Sequence, residues 1–206
     1  MRITVHGAAQ AEVAPDFGRL HGEVRAHDAD KAEALRRVTD ATRTLTEAFA
    51  ALRGSGAVLK TVVRPMTISS YQPYGDQGAL EHSATVTWWA DFPSSEGLGA
   101  FGERYGSVDA VQLGSTEWLL HDETRRRVEA ECLTHAVGQA RERASAIAAA
   151  AGAGEVSFVE ITDAGLQGPV GQPMLRAMAA GGMERGVEIS TDDVVIGVEL
   201  VAVFDA

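Results

Sequence analysis

The sequence predicts an α+β fold: a mixed, mainly antiparallel sheet with two long helices and one short helix packed on it. Three observations carry this. Segments of period-two hydrophobicity come in pairs, two long stretches switch to helical spacing, and turn residues punctuate nearly every change of period.

Met1–Gly7 alternates as a strand does, and Phe17–His27 separates into two faces. Gly18, Leu20, Gly22, Val24 and Ala26 form one; Arg19, His21, Glu23, Arg25 and His27 form the other. This is a half-buried strand, expected to lie antiparallel to Ile3–Ala8. From about Lys31 to Arg53 the apolar positions Leu35, Val38, Leu45, Phe49 and Leu52 recur at helical spacing. Asp30 and Glu33 have the spacing of a capping box, and Gly54 is the expected left-handed stop.

Val58–Ser70 is rich in β-branched residues, but Pro65 removes one ladder donor and predicts an edge or a bulge. Tyr71–Gly78 has the punctuation of a hairpin connection, and the strand returning through Phe92 places Ala84, Val86, Trp88 and Ala90 on one face. His82 falls on that apolar side, while Glu81, Ser83, Thr85, Thr87 and Asp91 lie on the other. Trp88 and Trp89 must point to opposite faces, and an outward Trp predicts a contact surface. Ser94 or Ser95 caps a short helix ending near Tyr105–Gly106, and Val108–Leu120 reads as a strand.

Asp122–Gly152 is helical, with Val128, Cys132, Ala136, Ala140, Ala144, Ile147 and Ala151 as its apolar stripe. Such small residues permit close approach to a neighbour. Glu155–Asp163 is a strand, and Ala164–Gly186 is expected to be a flexible loop containing six glycines, Pro169, Pro173, Met174, Met178 and Met183. In Val194–Phe204 both faces are apolar, which predicts a strand that is either central under helices or covered by another subunit. No break in composition divides the chain, so residues 1–206 read as a single domain.

Eighteen Lys and Arg against 29 Asp and Glu give a formal charge of −11. Phosphate recognition needs clustered cations, so nucleic acid is an expected non-partner. The longest apolar run, Ala146–Ala151, is too short to span a bilayer, so no membrane insertion is expected. The opening residues lack the pattern of a secretory signal, and the single Cys132 excludes an internal disulfide. Both point to the cytoplasm.

Phosphate-binding, nucleophile-elbow and zinc signatures are missing. Gly97, Gly99 and Gly102 match the dinucleotide spacing, but inside the expected short helix. No catalytic, cofactor-binding or metal residue is assigned, and no cofactor is expected. His21 and Glu23, with His121 before the long helix, are the residues an enzymatic alternative would use. His121–Glu123 reads otherwise as a helix start with Asp122 as its cap, and His135 as structural. A small-molecule module with the Ala164–Gly186 loop as a lid is the other alternative.

The order of these segments resembles the SIMPL-domain family of bacterial proteins. The resemblance rests on Ile3–Gly7 followed by Val13-Ala14-Pro15-Asp16, on the helix Ala32–Leu52, and on Val62–Tyr74 with its Ile68-Ser69-Ser70-Tyr71-Gln72-Pro73-Tyr74. It continues through Arg125–Gly152, Val156–Ile161, Met174–Ala180 and Val194–Phe204. It implies an α+β domain, often exported to the periplasm or outer envelope, with a channel-like ring in at least one member and no established catalytic residues. This chain departs from it in lacking the usual leader and in carrying Glu188–Asp192 where many members have a Pro-Gly turn. With the outward Trp and the doubly apolar last strand, the expectation is a non-enzymatic homo-oligomer acting through assembly or a protein partner, in a setting such as stress tolerance.

Overall fold

The computed structural model describes residues 1–72, 80–163 and 191–206. The Met-containing Ala164–Gly186 loop and most of the Tyr71–Gly78 connection lie outside the described residues. The elements run β1 (Arg2–Val13), β2 (Phe17–Asp28), α1 (Lys31–Gly54), β3 (Lys60–Val63), β4 (Thr67–Tyr71), β5 (Glu81–Phe92), α2 (Ser95–Tyr105), β6 (Val111–Leu119), α3 (Asp122–Ala150), β7 (Ser157–Asp163) and β8 (Val194–Asp205). The class is α+β, and every strand pairing among these elements is antiparallel. The strands divide between two sheets in two compact units, α1 and α2 belonging to the five-stranded one and α3 to the three-stranded one, each unit with its own core.

The five-stranded unit spans residues 16–119. Its sheet runs β3-β5-β2-β6, with β4 also on β5. The expected long strand Val58–Ser70 is split at Arg64-Pro65-Met66 into β3 and β4, because proline supplies no N–H to the ladder. The face of β2 that carries Leu20, Val24 and Ala26 joins Ala84, Val86, Trp88 and Phe92 of β5 in a core closed by Val38, Leu45 and Phe49 of α1 and by Leu98 and Phe101 of α2. Asp30 caps α1 by accepting from the Ala32 N–H. Glu33 does not close a capping box; its carboxylate accepts two hydrogen bonds from the Arg36 guanidinium, at 2.6 and 2.9 Å. The left-handed residue after α1 is Gly56 (φ +77°), not Gly54. Ser94 caps α2 through the Gly97 N–H.

The three-stranded unit gathers residues 1–15, 120–163 and 192–206. Its strand order is β1-β8-β7. Here the expected pairing of β1 with β2 is corrected: β1 pairs with β8 along its whole length, from Arg2 opposite Asp205 to Val13 opposite Val194, and β2 lies between β5 and β6. The last strand is central in its sheet, but α3 packs on the face of Ile196, Val198, Leu200, Ala202 and Phe204, and Val195, Val201 and Val203 on the other face are half-buried, so among the described residues the strand does not lie under helices on both sides. Helix α3 buries Val128, Cys132, Ala136, Ala140, Ala144 and Ala148. These follow a strict fourfold step, an oblique row on the helix surface. Ile147, expected in the stripe, is 41% exposed, and Ala148 takes its place. The N-cap position of α3 is His121, and Asp122 stands inside the first turn. No helix of the described residues is long and apolar enough to cross a membrane.

Candidate functional site

In the five-stranded unit both helices pack on one face of the sheet, which leaves the other to polar side chains. Alternation along β2 sends Arg19, His21 and Glu23 to that face, and along β5 it sends Thr87, Trp89 and Asp91. Trp88 is buried in the core against Phe49 and Phe101, and Trp89 is the outward member of the pair. Gly22 makes this possible on the core side, since a Cβ there would fall on the Trp88 ring.

Asp91, only 5% exposed, accepts two hydrogen bonds from Arg19, Nε to Oδ1 at 2.7 Å and Nη2 to Oδ2 at 3.0 Å. These bonds, against a smaller opposing effect of burial, push the guanidinium further above its ordinary range. So pinned, Arg19 lies 4.0 Å from the centre of the Trp89 ring, and the Lys60 ammonium lies 5.5 Å from the same centre. The indole is thus bracketed by two cations, a geometry that fixes it without burying it.

Beside this stack is a depression of about 560 Å³ lined by Arg19, His21, Glu23, Arg64, Trp89 and Gln112 among others. His21 faces an irregularity in β6, where the register shifts at Gly114–Ser115. Its Nε2 makes no hydrogen bond among the described residues, and the nearest carboxylate oxygen, Glu117 Oε2, is 3.5 Å away. Glu23 leans instead toward Arg25, 3.5 Å from Oε1 to Nη1. The residues of the enzymatic alternative are therefore not one cluster: His21 has Glu117 as its neighbour, Glu23 has Arg25, and His121 belongs to the other unit, at the start of α3.

At the other end of β5, the Ser70 hydroxyl meets His82 Nδ1 at 2.7 Å, and the Tyr71 hydroxyl donates to Glu81 at 2.6 Å, which pushes the phenol up. His135 is exposed rather than packed and, with Gln139, Gln10 and Glu199, lines a depression of about 510 Å³ in the three-stranded unit. Cys132 is buried, and burial pushes its thiol up. Gly97, Gly99 and Gly102 lie within α2, not in a strand-to-helix turn. Among the described residues no three His, Cys, Asp or Glu converge as metal ligands.

The pattern of β2 and β5 identified the outward Trp89 and the polar face around it. Asp91, Glu117, Lys60 and Arg64 were not singled out, because their roles come from strand register, which no local period encodes.

No curated protein matches the chain. A family model does, that of SIMPL, described as a protein of unknown function (DUF541), and it matches residues 3–204. Nearly the whole chain is covered, through both units, and the chain belongs to the SIMPL family.

Proposed function

We propose that this is a non-enzymatic protein that self-associates and acts through its assembly or through a protein partner, without a catalytic residue, metal or cofactor. The observation that carries the reading is the face of the five-stranded sheet opposite its two helices, with Trp89 held between Arg19 and Lys60 and Arg19 held by Asp91. Aromatic and arginine side chains that are already ordered lose little entropy on contact, which is why such residues dominate protein interfaces. Both units are proposed to act as one domain, since one family model runs through both. The proposed compartment is the cytoplasm, which suits a lone unpaired cysteine, and the proposed setting is stress tolerance.

Light-scattering mass measured across a range of concentration and salt tests this. A discrete oligomer is expected, and a strict monomer at high concentration overturns it. The depression at His21 and Arg64 favours a second reading, a small-molecule site, since its volume of about 560 Å³ falls in the range of ligand pockets. A ligand bound there must raise the thermal midpoint, and a screen without any such rise overturns that reading.

A further inference from the structure

We infer that the edge of β4 that is unpaired among the described residues is an interface with a second copy of this chain, the two β4 strands pairing antiparallel to join two five-stranded sheets into one. The inference rests on the self-association proposed above and names the surface that carries it.

An exposed strand edge presents unpaired N–H and C=O groups, and proteins guard such edges with charge, proline or bulges. Among the described residues the outer strands are β1 and β7 of one sheet and β3, β4 and β6 of the other. Four of them are guarded. β1 carries Arg2 and Glu12; β7 carries Glu160 and Asp163 and a register break after Phe158; β3 begins at Lys60 and is followed by Pro65; β6 carries Glu117 and a register break of its own. β4 shares Pro65, two residues before it, with β3, but it carries no charge and no register break. Its sequence Thr67-Ile68-Ser69-Ser70-Tyr71 is uncharged, its register with β5 is unbroken, and all five residues are exposed. Apolar surface gathers there, with Ile68 43%, Tyr71 45% and the nearby Leu80 50% exposed.

Charge selects the occupant. Each chain carries a formal −11, so two copies repel wherever acidic surfaces meet. Pairing β7 with its copy would bring Glu160 and Asp163 of both chains together, and like charges opposed across strands are destabilising. Pairing β4 with β4 opposes only Thr, Ile, Ser and Tyr. The contact is also self-complementary, as a twofold interface requires. A ladder of five residues is short against the ~1,600 Å² of a standard interface, so the association is expected to depend on concentration.

The test is the light-scattering mass of wild type, Ile68→Lys and Glu160→Lys over a concentration series. Ile68 is already 43% exposed, so its replacement leaves the fold standing, which the thermal midpoint checks. Thr67→Lys serves if Ile68→Lys does not fold. The expected result is a wild-type mass of two chains or a multiple of two, a half-dissociation concentration raised about tenfold or more by the β4 lysine, and no change from Glu160→Lys. An oligomer that ignores lysine at both Ile68 and Thr67 overturns the β4 interface and leaves self-association standing. A wild type that is monomeric throughout overturns both.

Discussion

In the five-stranded unit the space between helix and sheet is filled by Trp88, Phe49, Phe92 and Phe101, whose ring centres lie 5.2 to 5.9 Å apart. In the three-stranded unit the corresponding positions on the helix are Ala136, Ala140, Ala144 and Ala148, and the strand beneath offers Gly7. One core gains its stability from large faces that interlock. The other gains it from nearness, with helix backbone against strand backbone and many weak contacts at short range. The two should therefore fail in opposite directions, the first when a side chain is removed and the second when one is added.

Trp88→Ala gives the largest effect. Trp88 is 2% exposed and touches both helices through Phe49 and Phe101, so its loss should cost about 3–5 kcal/mol of stability in denaturant unfolding. A loss under about 1 kcal/mol would mean that the aromatic cluster does not hold its unit together. Gly7→Ala tests the other core. A Cβ at Gly7 would fall on the carbonyl oxygen of Ala136 and stand 3.0 Å from the Ala140 methyl, so α3 must move away from β1. The expected cost is about 2–3 kcal/mol for one added methyl, where a methyl deletion on α3 such as Ala130→Gly, on its exposed side, should cost only about 1 kcal/mol. Equal costs for the two would break the contrast.

The smallest effect separates the helix ends. Asp30 caps α1, and Glu33 grips Arg36, whereas α3 starts at His121 with no side-chain cap. The Arg36 hydrogen bonds hold the Glu33 carboxyl below the ordinary glutamate value. A native value below the unfolded one means stability that is present above the unfolded value and lost as pH falls through the lowered native value. Glu33→Gln should therefore leave stability at acid pH unchanged and lower it slightly at neutral pH, seen as a flatter acid limb in urea midpoints. Because the pair lies at the surface, where solvent screens it, a large flattening would show that Glu33 has another partner.

How much of this could be read from residues alone follows from the range of each interaction. The two faces of β2 and the split between Trp88 and Trp89 were readable, since alternation is a property of a single strand. The interruption at Pro65 and the cap at Asp30 were readable for the same reason. What failed was choice of partner. β1 and β2 both alternate and stand side by side in sequence, so they looked like a hairpin, yet β1 pairs with β8. Arg19 finds Asp91 across 72 residues, and His21 finds Glu117 rather than the near Glu23. The stripe of α3 was misjudged at Ile147 and Ala151, both exposed, because a helix this rich in alanine shows little contrast between its faces. Gly7 was the overlooked signal, for a glycine within a strand marks a close backbone approach.

The pairing of β1 with β8 also dictates an order of events during synthesis. Residues 16–119 are continuous, so the five-stranded unit has all its strands before the ribosome reaches α3. β1 has to wait, since its strand partner among the described residues, β8, is made after the other described strands. Closing that ladder brings Val13 to Val194 across nearly the whole chain, a slow and entropically costly step. β1, made before the other described strands, thus pairs only when β8 is available, and until Val194–Asp205 emerges it must be kept from other edges, a period in which the nascent chain is most exposed to misassembly.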